Sequence, residues 1–166
     1  MIDLEILAKV PLLKELSSEH LSLLQPLFKQ LNVKQGTYVL RENTSGDQFY
    51  LLTEGTIQVT KDLVQGFEED QDLTEKVLTT IQGKDLPTFG ENGVLGHGAR
   101  TANIIAVTDC TLFTLSKADF ESFAQQNYQA AYLFMTSIAR KISLNLKFTD
   151  ENLVKLATAL YIAVQH

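Results

Sequence analysis

Between residues 31 and 115 the apolar side chains recur at every second position, in short runs that turn-forming residues interrupt. This alternation is typical of β-strands with one buried face. The runs that fit it are residues 32–33, 38–40, 49–52, 56–60, 76–81, 104–107 and 111–115, separated by turns at 35–36, 45–47, 54–55, 82–83 and 108–109. Many short strands in regular alternation predict a β-sandwich or a jelly-roll barrel.

The first 30 residues follow a different pattern, with apolar residues at helical spacing. They are Leu4, Leu7, Val10, Leu13 and Leu16, followed by Leu21, Leu24, Leu27 and Phe28. Pro11 and Pro26 interrupt the pattern, so we expect short helices rather than one long one. Ser18 is the predicted N-cap of the second helix.

Helical spacing returns after the strands. Ser116 is a predicted N-cap for a helix that begins at Lys117, and a second periodic stretch starts near Tyr128. The chain has no glycine or proline after Gly98, so residues 149–152 either begin a new helix or lie inside a single long one. The predicted fold is mainly β with flanking helices: a double-stranded β-helix (jelly-roll) barrel at 31–116, an N-terminal helical segment at 1–30 and C-terminal helices at 117–166.

Composition and charge exclude several classes of function. The net charge of −6 gives no basic field for general nucleic-acid binding. Cys110 is the only cysteine, so an internal disulfide is ruled out. We expect Cys110 to be a small residue of the core. No signal peptide and no apolar run of membrane-spanning length are present, so we expect a cytoplasmic protein with no membrane partner. Residues 61–75 are acidic and predict an exposed hairpin excursion, with a docking surface for a basic partner as the alternative.

No pattern of catalytic or metal-binding residues stands out. His20, His97 and His166 are scattered, without the spacing of metal ligands, so a cupin-like metal barrel is not favoured. Neither a nucleophile–base arrangement nor a carboxylate pair is recognisable. We therefore predict no catalysis, no metal and no cofactor.

Residues 89–106 contain the most distinctive polar pattern, a glycine-rich stretch between Gly90 and Gly98 that ends in Arg100. A glycine lets the backbone approach a ligand closely, and Glu91 follows Gly90 at once. An arginine at the entrance to a buried strand is costly unless an anion pairs with it, and its planar fork of donors suits phosphate. Backbone N–H groups of the turn could complete an anion site. The alternative is an internal pair between Arg100 and Glu91 or Asp85.

The order Phe-Gly-Glu, a small residue, an aliphatic residue and then Arg-Thr-Ala resembles the phosphate-binding cassette of the cyclic nucleotide-binding domain family, which includes catabolite-activator-type regulators, kinase regulatory subunits and nucleotide-gated channels. We call residues 89–106 the cassette. The resemblance extends upstream, where residues 39–55 look like the family's early hairpin. The matching residues there are Gly46, Asp47, Phe49, Tyr50 and Gly55.

Two departures from the family pattern are visible. Asn43 and Thr44 stand where the family commonly has Gly-Asp, and Asn tolerates the left-handed backbone that such a turn needs. Pro87 and Thr88 replace the usual Asp-aromatic pair before the cassette, which changes how the chain approaches it.

The resemblance implies a ligand site for cAMP or cGMP. In the family the cassette arginine binds the cyclic phosphate and the glutamate binds the ribose 2′-hydroxyl, positions that Arg100 and Glu91 hold here. Backbone groups at Gly90 and Ala102 would line the phosphate and sugar. Thr101 would reach the phosphate or a base edge, which leaves cyclic GMP open beside cyclic AMP.

The resemblance also implies that the helix after the barrel moves when nucleotide binds. Ile138, Ile142 and Leu146 form an apolar stripe that either pairs with its copy in a homodimer or packs on its own barrel. Transcription factors of this type carry a winged helix after this helix, and the sequence ends at His166. We therefore expect a stand-alone sensor that signals to an unidentified protein partner or through its own assembly. The alternative is an interaction scaffold with a degenerate nucleotide pocket.

Overall fold

A computed structural model describes residues 1–62, 75–96 and 99–164 of the chain. The strands are β1 (Lys29–Val33), β2 (Tyr38–Leu40), β3 (Gln48–Glu54), β4 (Thr56–Asp62), β5 (Glu75–Gln82), β6 (Thr88–Phe89), β7 (Asn103–Ala106) and β8 (Cys110–Ser116). The α-helices are α1 (Leu4–Lys9), α2 (Ser18–Leu24), α3 (Glu91–Leu95), α4 (Lys117–Gln126) and α5 (Tyr128–Val164), with 3-10 turns at Pro11–Leu13, Gln25–Leu27 and Gly83–Asp85.

Two antiparallel four-stranded sheets form the β-roll, one in the order β1-β8-β3-β6 and the other in the order β2-β7-β4-β5. Each of the seven predicted runs falls on a strand of its own, although the run at 104–107 extends one residue beyond β7, and the predicted fold class is confirmed. The sequence did not predict β6, a two-residue strand that pairs Phe89 with Tyr50 and Thr88 with Leu51. This pairing places the start of the cassette against β3.

Alternate residues of β3 enter two separate apolar clusters, because both faces of this strand are covered. Tyr50 and Leu52 point into the space between the two sheets, where they pack with Ile57, Ile104 and Leu112. Phe49 and Leu51 point to the helical side. There the Phe49 ring meets the edge of the Phe134 ring from α5, with ring centroids 5.5 Å apart. The second cluster therefore fixes the first turns of α5 against the sheet that carries β6.

The N-terminal segment folds as the short helical pieces that its prolines predict. Ser17 rather than Ser18 is the N-cap of α2, since the Ser17 Oγ accepts a hydrogen bond of 3.2 Å from the His20 N–H. The helical segment also ends earlier than predicted, because Lys29 already pairs with Thr114 in the sheet. The early hairpin turn keeps its shape, with Asn43 in the left-handed conformation at φ 61°.

The C-terminal helices begin as expected, because the Ser116 Oγ accepts from the Asp119 N–H at 3.1 Å and caps α4. Asn127 alone separates α4 from α5, and α5 then runs for 37 residues without a break. The alternative of a new helix at residues 149–152 is therefore wrong. No helix in the described part of the chain combines the length and apolar character of a bilayer span.

The predicted apolar stripe on α5 divides into two faces. Ile138 is fully buried against the barrel, whereas Ile142 and Leu146 are exposed, at 39% and 61%. Buried packing on α5 involves Ala130, Ala131, Phe134 and Ile138. Residues 63–74 of the acidic excursion predicted at 61–75, together with His97 and His166, lie outside the described residues, whereas Cys110 is buried in the core as predicted.

Candidate functional site

Glycines at both ends shape the cassette helix α3. Gly90 precedes the helix at φ +79° and Gly96 follows it at φ +99°. Both angles lie in the left-handed region, which residues other than glycine rarely adopt. A Cβ at Gly93 would lie 2.4 Å from the Gln48 carbonyl oxygen, so α3 rests directly on the backbone of β3. This close packing holds Glu91, the first residue of the helix, at the edge of the roll.

The Arg100 side chain is buried beneath this turn, with the residue 5% exposed. Its Nη2 donates to the Gln48 carbonyl oxygen at 3.0 Å and its Nη1 donates to the Gly90 carbonyl oxygen at 3.3 Å. The Arg100 N–H also donates to the Thr44 carbonyl oxygen at 2.8 Å, which ties it to the early hairpin. The guanidinium therefore lies between the hairpin and the cassette.

No acidic side chain pairs with Arg100 within the described residues. The expected alternatives, pairs with Glu91 or Asp85, are not formed. Both hydrogen bonds of the guanidinium go to neutral carbonyl groups, which leave its charge uncompensated. Since an unpaired buried cation is costly, this arrangement suits an anionic ligand.

Tyr50 and Phe89 form the aromatic wall beside Arg100. Their rings stack with centroids 5.1 Å apart, and the Arg100 guanidinium carbon lies 5.8 Å from the centre of the Tyr50 ring. Burial raises the pKa of the Tyr50 phenol, although the Arg100 charge opposes this effect. The phenol is therefore neutral at physiological pH and adds no negative charge beside the arginine.

Glu91 forms an ion pair with Lys141, for which the sequence pattern predicts no role. Its Oε1 accepts a hydrogen bond from the Nζ of Lys141 on α5, and the same Nζ donates to the backbone oxygen of Thr88 and, at 3.0 Å, to the Thr88 Oγ1. The Glu91 side chain is 15% exposed and the Lys141 side chain 30%. The contact joins the cassette to the long helix.

Thr101 and Ala102 follow Arg100 in a bend before β7. Thr101 is exposed and Ala102 is half-buried. The next residue, Asn103, fixes the strand start, since its Oδ1 accepts from the Glu42 N–H at 2.7 Å and its Nδ2 donates to Asp62 Oδ1 at 2.8 Å. Thr101 is thus an exposed residue two positions before a strand start that hydrogen bonds fix.

Of the five predicted site residues, Gly90 and Arg100 are in direct contact, Glu91 follows Gly90 and pairs with Lys141, and Thr101 and Ala102 follow Arg100. Lys141 gave no signal in the sequence, because a single lysine on a helix of mixed pattern looks like an ordinary surface residue. Gly46 is a second addition, since a Cβ there would lie 2.5 Å from the Arg100 Nη2. The hairpin motif could have singled out Gly46 from the sequence. The sequence could not show that Arg100 is the residue Gly46 contacts.

Comparison with known proteins places this geometry in context. A family model of the cyclic nucleotide-binding domain matches residues 30–127, more than half of the chain. The cGMP-dependent protein kinase, isozyme 1, of Drosophila melanogaster is 34% identical over 106 residues, which are 64% of this chain and 13% of the kinase. Across the related kinases the match spans only 8% to 19% of their length.

Solved structures share the fold. The catabolite activator protein of Thermus thermophilus superposes with a TM-score of 0.74 and 23% identity, over 89% of this chain and 63% of that protein. A cyclic nucleotide-binding domain from Methylobacillus flagellatus gives 0.74 at 16% identity, over 91% and 80% of the two chains. Sequence match and fold agree, and the chain therefore belongs to the cyclic nucleotide-binding domain family.

Proposed function

We propose that this domain binds cAMP or cGMP at Arg100 and acts as a non-catalytic sensor whose helix α5 carries the signal. The observation that carries the proposal is the buried Arg100 guanidinium, which has no acidic partner among the described residues. A guanidinium has five N–H donors, and the two carbonyl oxygens use two of them. A phosphodiester would supply the missing negative charge and further acceptors.

The neighbouring carboxylate narrows the class of ligand. Glu91 would repel a polyanion, but a carboxylate accepts hydrogen bonds from hydroxyl groups. A cyclic mononucleotide combines one phosphate charge with a ribose hydroxyl, so it matches Arg100 and Glu91 together. Free phosphate or a nucleoside triphosphate would satisfy the arginine and oppose the glutamate.

The base is the less constrained part of the ligand. Thr101 is exposed at the rim and can present a hydroxyl to a guanine edge. The related fly kinase is named for cGMP, which supports including cyclic GMP beside cyclic AMP. We therefore propose both nucleotides as ligands.

Helix α5 offers a surface for the output. Residues at alternating intervals of four and three positions form a line along the helix, which we call the α5 seam. All of them are exposed except Met135, which is half-buried. Its members are Tyr128, Tyr132, Met135, Ala139, Ile142, Leu146, Thr149, Leu153, Leu156, Leu160 and Ala163. This is the spacing of a coiled coil over about five heptads, with Thr149 as the only polar member.

The seam supports a homodimer as the assembly through which the sensor acts. Ile138 faces the barrel, about 40° around the helix from Ile142, and does not belong to the seam. One face of the helix can therefore contact the nucleotide-binding roll while the neighbouring face contacts a second copy. An additional protein partner could read the resulting change in the pair.

Isothermal titration with cAMP, cGMP and the linear 5′-monophosphates AMP and GMP tests the ligand. We expect saturable heat with at least one cyclic nucleotide and at least tenfold weaker binding of its linear form, whose extra charge opposes Glu91. Light scattering before and after saturation reports the assembly. If millimolar cyclic nucleotide produces neither heat nor a thermal shift, the result favours the alternative, an interaction scaffold with a degenerate nucleotide pocket.

A further inference from the structure

The contact between α5 and the cassette involves one ammonium group and three acceptors. Lys141 Nζ reaches Glu91 Oε1, Thr88 Oγ1 and the Thr88 carbonyl oxygen, which matches the three donors of a lysine. Thr88 is also one of the two positions before the cassette where the chain departs from the family pattern. The acceptors and the lysine are far apart in sequence, so the fold alone brings them together.

This contact fixes the orientation of the Glu91 carboxylate. Lys141 occupies only Oε1, and no described residue donates to Oε2. A glutamate at the start of a short helix has several free torsions, and an ion pair with a half-buried lysine restricts them. The carboxylate is thereby presented with one oxygen already bound and the other without a described donor.

We propose that Lys141 is a positioning residue for ribose recognition: it holds Glu91 Oε1 so that Oε2 accepts the 2′-hydroxyl of the nucleotide. The inference rests on the proposed function, because it assigns Glu91 to the ribose. It makes nucleotide binding and the docked position of α5 mutually favourable. By linkage, whatever moves α5 away from the cassette lowers nucleotide affinity by the same factor by which nucleotide favours docking.

The adjacent residue supplies a matched control. Arg140 forms an ion pair with Glu15 and so ties the same turn of α5 to the N-terminal segment. Arg140 and Lys141 both line a groove of about 510 Å³ between α5, the Pro11–Leu13 turn and the residues that precede the cassette. The Arg140 side chain is 59% exposed, so the loss of its ion pair should leave α5 docked, and only the loss of Lys141 frees the Glu91 carboxylate.

The test compares a ribose nucleotide with its 2′-deoxy analogue. Affinities of the parent, Lys141→Met and Arg140→Met are measured by calorimetry for cAMP, cGMP, 2′-deoxy-cAMP and 2′-deoxy-cGMP. In the parent we expect the 2′-deoxy form to bind about tenfold more weakly. Lys141→Met should bind the ribose form about tenfold more weakly than the parent does and the 2′-deoxy form almost as well. Arg140→Met should leave the ratio between ribose and deoxy affinities at the parental value.

Two results would overturn the inference while the proposed function stood. Lys141→Met could bind the ribose nucleotide as tightly as the parent, or more tightly, which would make the lysine a competitor. It could instead lose both analogues equally, which would indicate a purely structural contact. A parent that binds neither cyclic nucleotide would contradict the proposed function itself. If Lys141→Met does not fold, Thr88→Val removes one acceptor, and a two- to threefold loss confined to the ribose form is expected.

Discussion

Gly46 lies directly against the Arg100 guanidinium, and a Cβ at position 46 would stand 2.5 Å from the Arg100 Nη2. The backbone of Gly46 has an ordinary φ, so alanine there meets only the end of a flexible side chain. We therefore predict that Gly46→Ala displaces the guanidinium, weakens cyclic nucleotide binding by tenfold or more, and changes the unfolding free energy by roughly 0.5 kcal/mol or less. Calorimetry and thermal unfolding measure the two effects.

Gly55 provides the contrasting control. It adopts φ +89°, and a Cβ there would lie 2.4 Å from the backbone oxygen of Asp109. Gly55→Ala should cost about 1–3 kcal/mol of stability, because the backbone cannot move away as a side-chain end can. Folded Gly55→Ala should retain its nucleotide affinity. Equal stability losses for the two alanine variants would contradict this assignment.

The charge of Arg100 should account for much of the phosphate affinity. Arg100→Ala is expected to lose about 2–5 kcal/mol of binding free energy, because the phosphate would then enter a niche with no opposing charge. The variant should not unfold more readily, since it removes a buried cation that no described acidic group compensates. Calorimetry at matched salt gives the number. If the Arg100→Ala protein binds cyclic nucleotide as tightly as the parent, Arg100 does not contact the ligand.

A substitution at Thr101 tests whether its hydroxyl reads the base. Thr101→Ala should weaken cGMP binding by about tenfold and cAMP binding by much less, if the hydroxyl reaches the guanine edge. The residue is exposed, so stability should change by roughly 0.5 kcal/mol or less. Titrations with both nucleotides decide the matter. Equal losses would mean that Thr101 contacts only the phosphate.

Two α5 residues with equal exposure test the seam. Leu153 lies in the seam and is 63% exposed, whereas Phe148 lies outside it and is 64% exposed. Leu153→Asp should place a charge in the dimer interface and yield monomers at concentrations where the parent is dimeric. Phe148→Asp should leave the mass from light scattering unchanged. Dissociation by both variants, or by neither, would argue against the seam.

Asp119 gives a pH-dependent contribution to stability. Hydrogen bonds from Lys29 and from the Ser116 hydroxyl lower the pKa of its carboxyl group below the usual value of about 3.9. Because this pKa is lower in the folded state than in the unfolded state, the ionised carboxylate stabilises the fold at pH values above the unfolded-state pKa. The stabilisation is lost as the pH falls through the folded-state pKa. Asp119→Asn should therefore cost roughly 0.5 kcal/mol at pH 7, and the difference from the parent should vanish at the acid end of a pH series.

Denaturant titrations of the two proteins across that series measure the effect. Lys29→Met should reproduce part of the loss, because the Lys29 side chain is 70% exposed and its ion pair is screened. A difference between parent and Asp119→Asn that persisted undiminished in acid would show that the carboxylate charge is not its origin.

The alternating pattern was sufficient to locate seven strands, because one apolar face per strand is a requirement of a two-sheet roll. It could not reveal β6, since two residues are too few to show a period. Ile138 was grouped with Ile142 because four-residue spacing places both on one side of a helix. The two side chains point about 40° apart around the helix axis, and the roll covers only Ile138.

Arg100 and Glu91 were recognisable because both lie in one continuous motif. Lys141 was not, since its role depends on the angle at which α5 crosses the cassette. That angle follows from the packing of Phe134 and Ile138 on the sheet. Local sequence thus indicates which groups a ligand would meet, and only tertiary packing shows which helix touches them.

The single residue between α4 and α5 has a mechanical consequence. At 1.5 Å per residue α5 is about 55 Å long, with Lys141 about 20 Å from Asn127. A tilt of about 10° about Asn127 would shift Lys141 by about 3.5 Å, enough to break its hydrogen bonds, and would swing the far end of α5 by about 10 Å. Such a tilt would turn a displacement the size of one lost contact into a movement as wide as a helix.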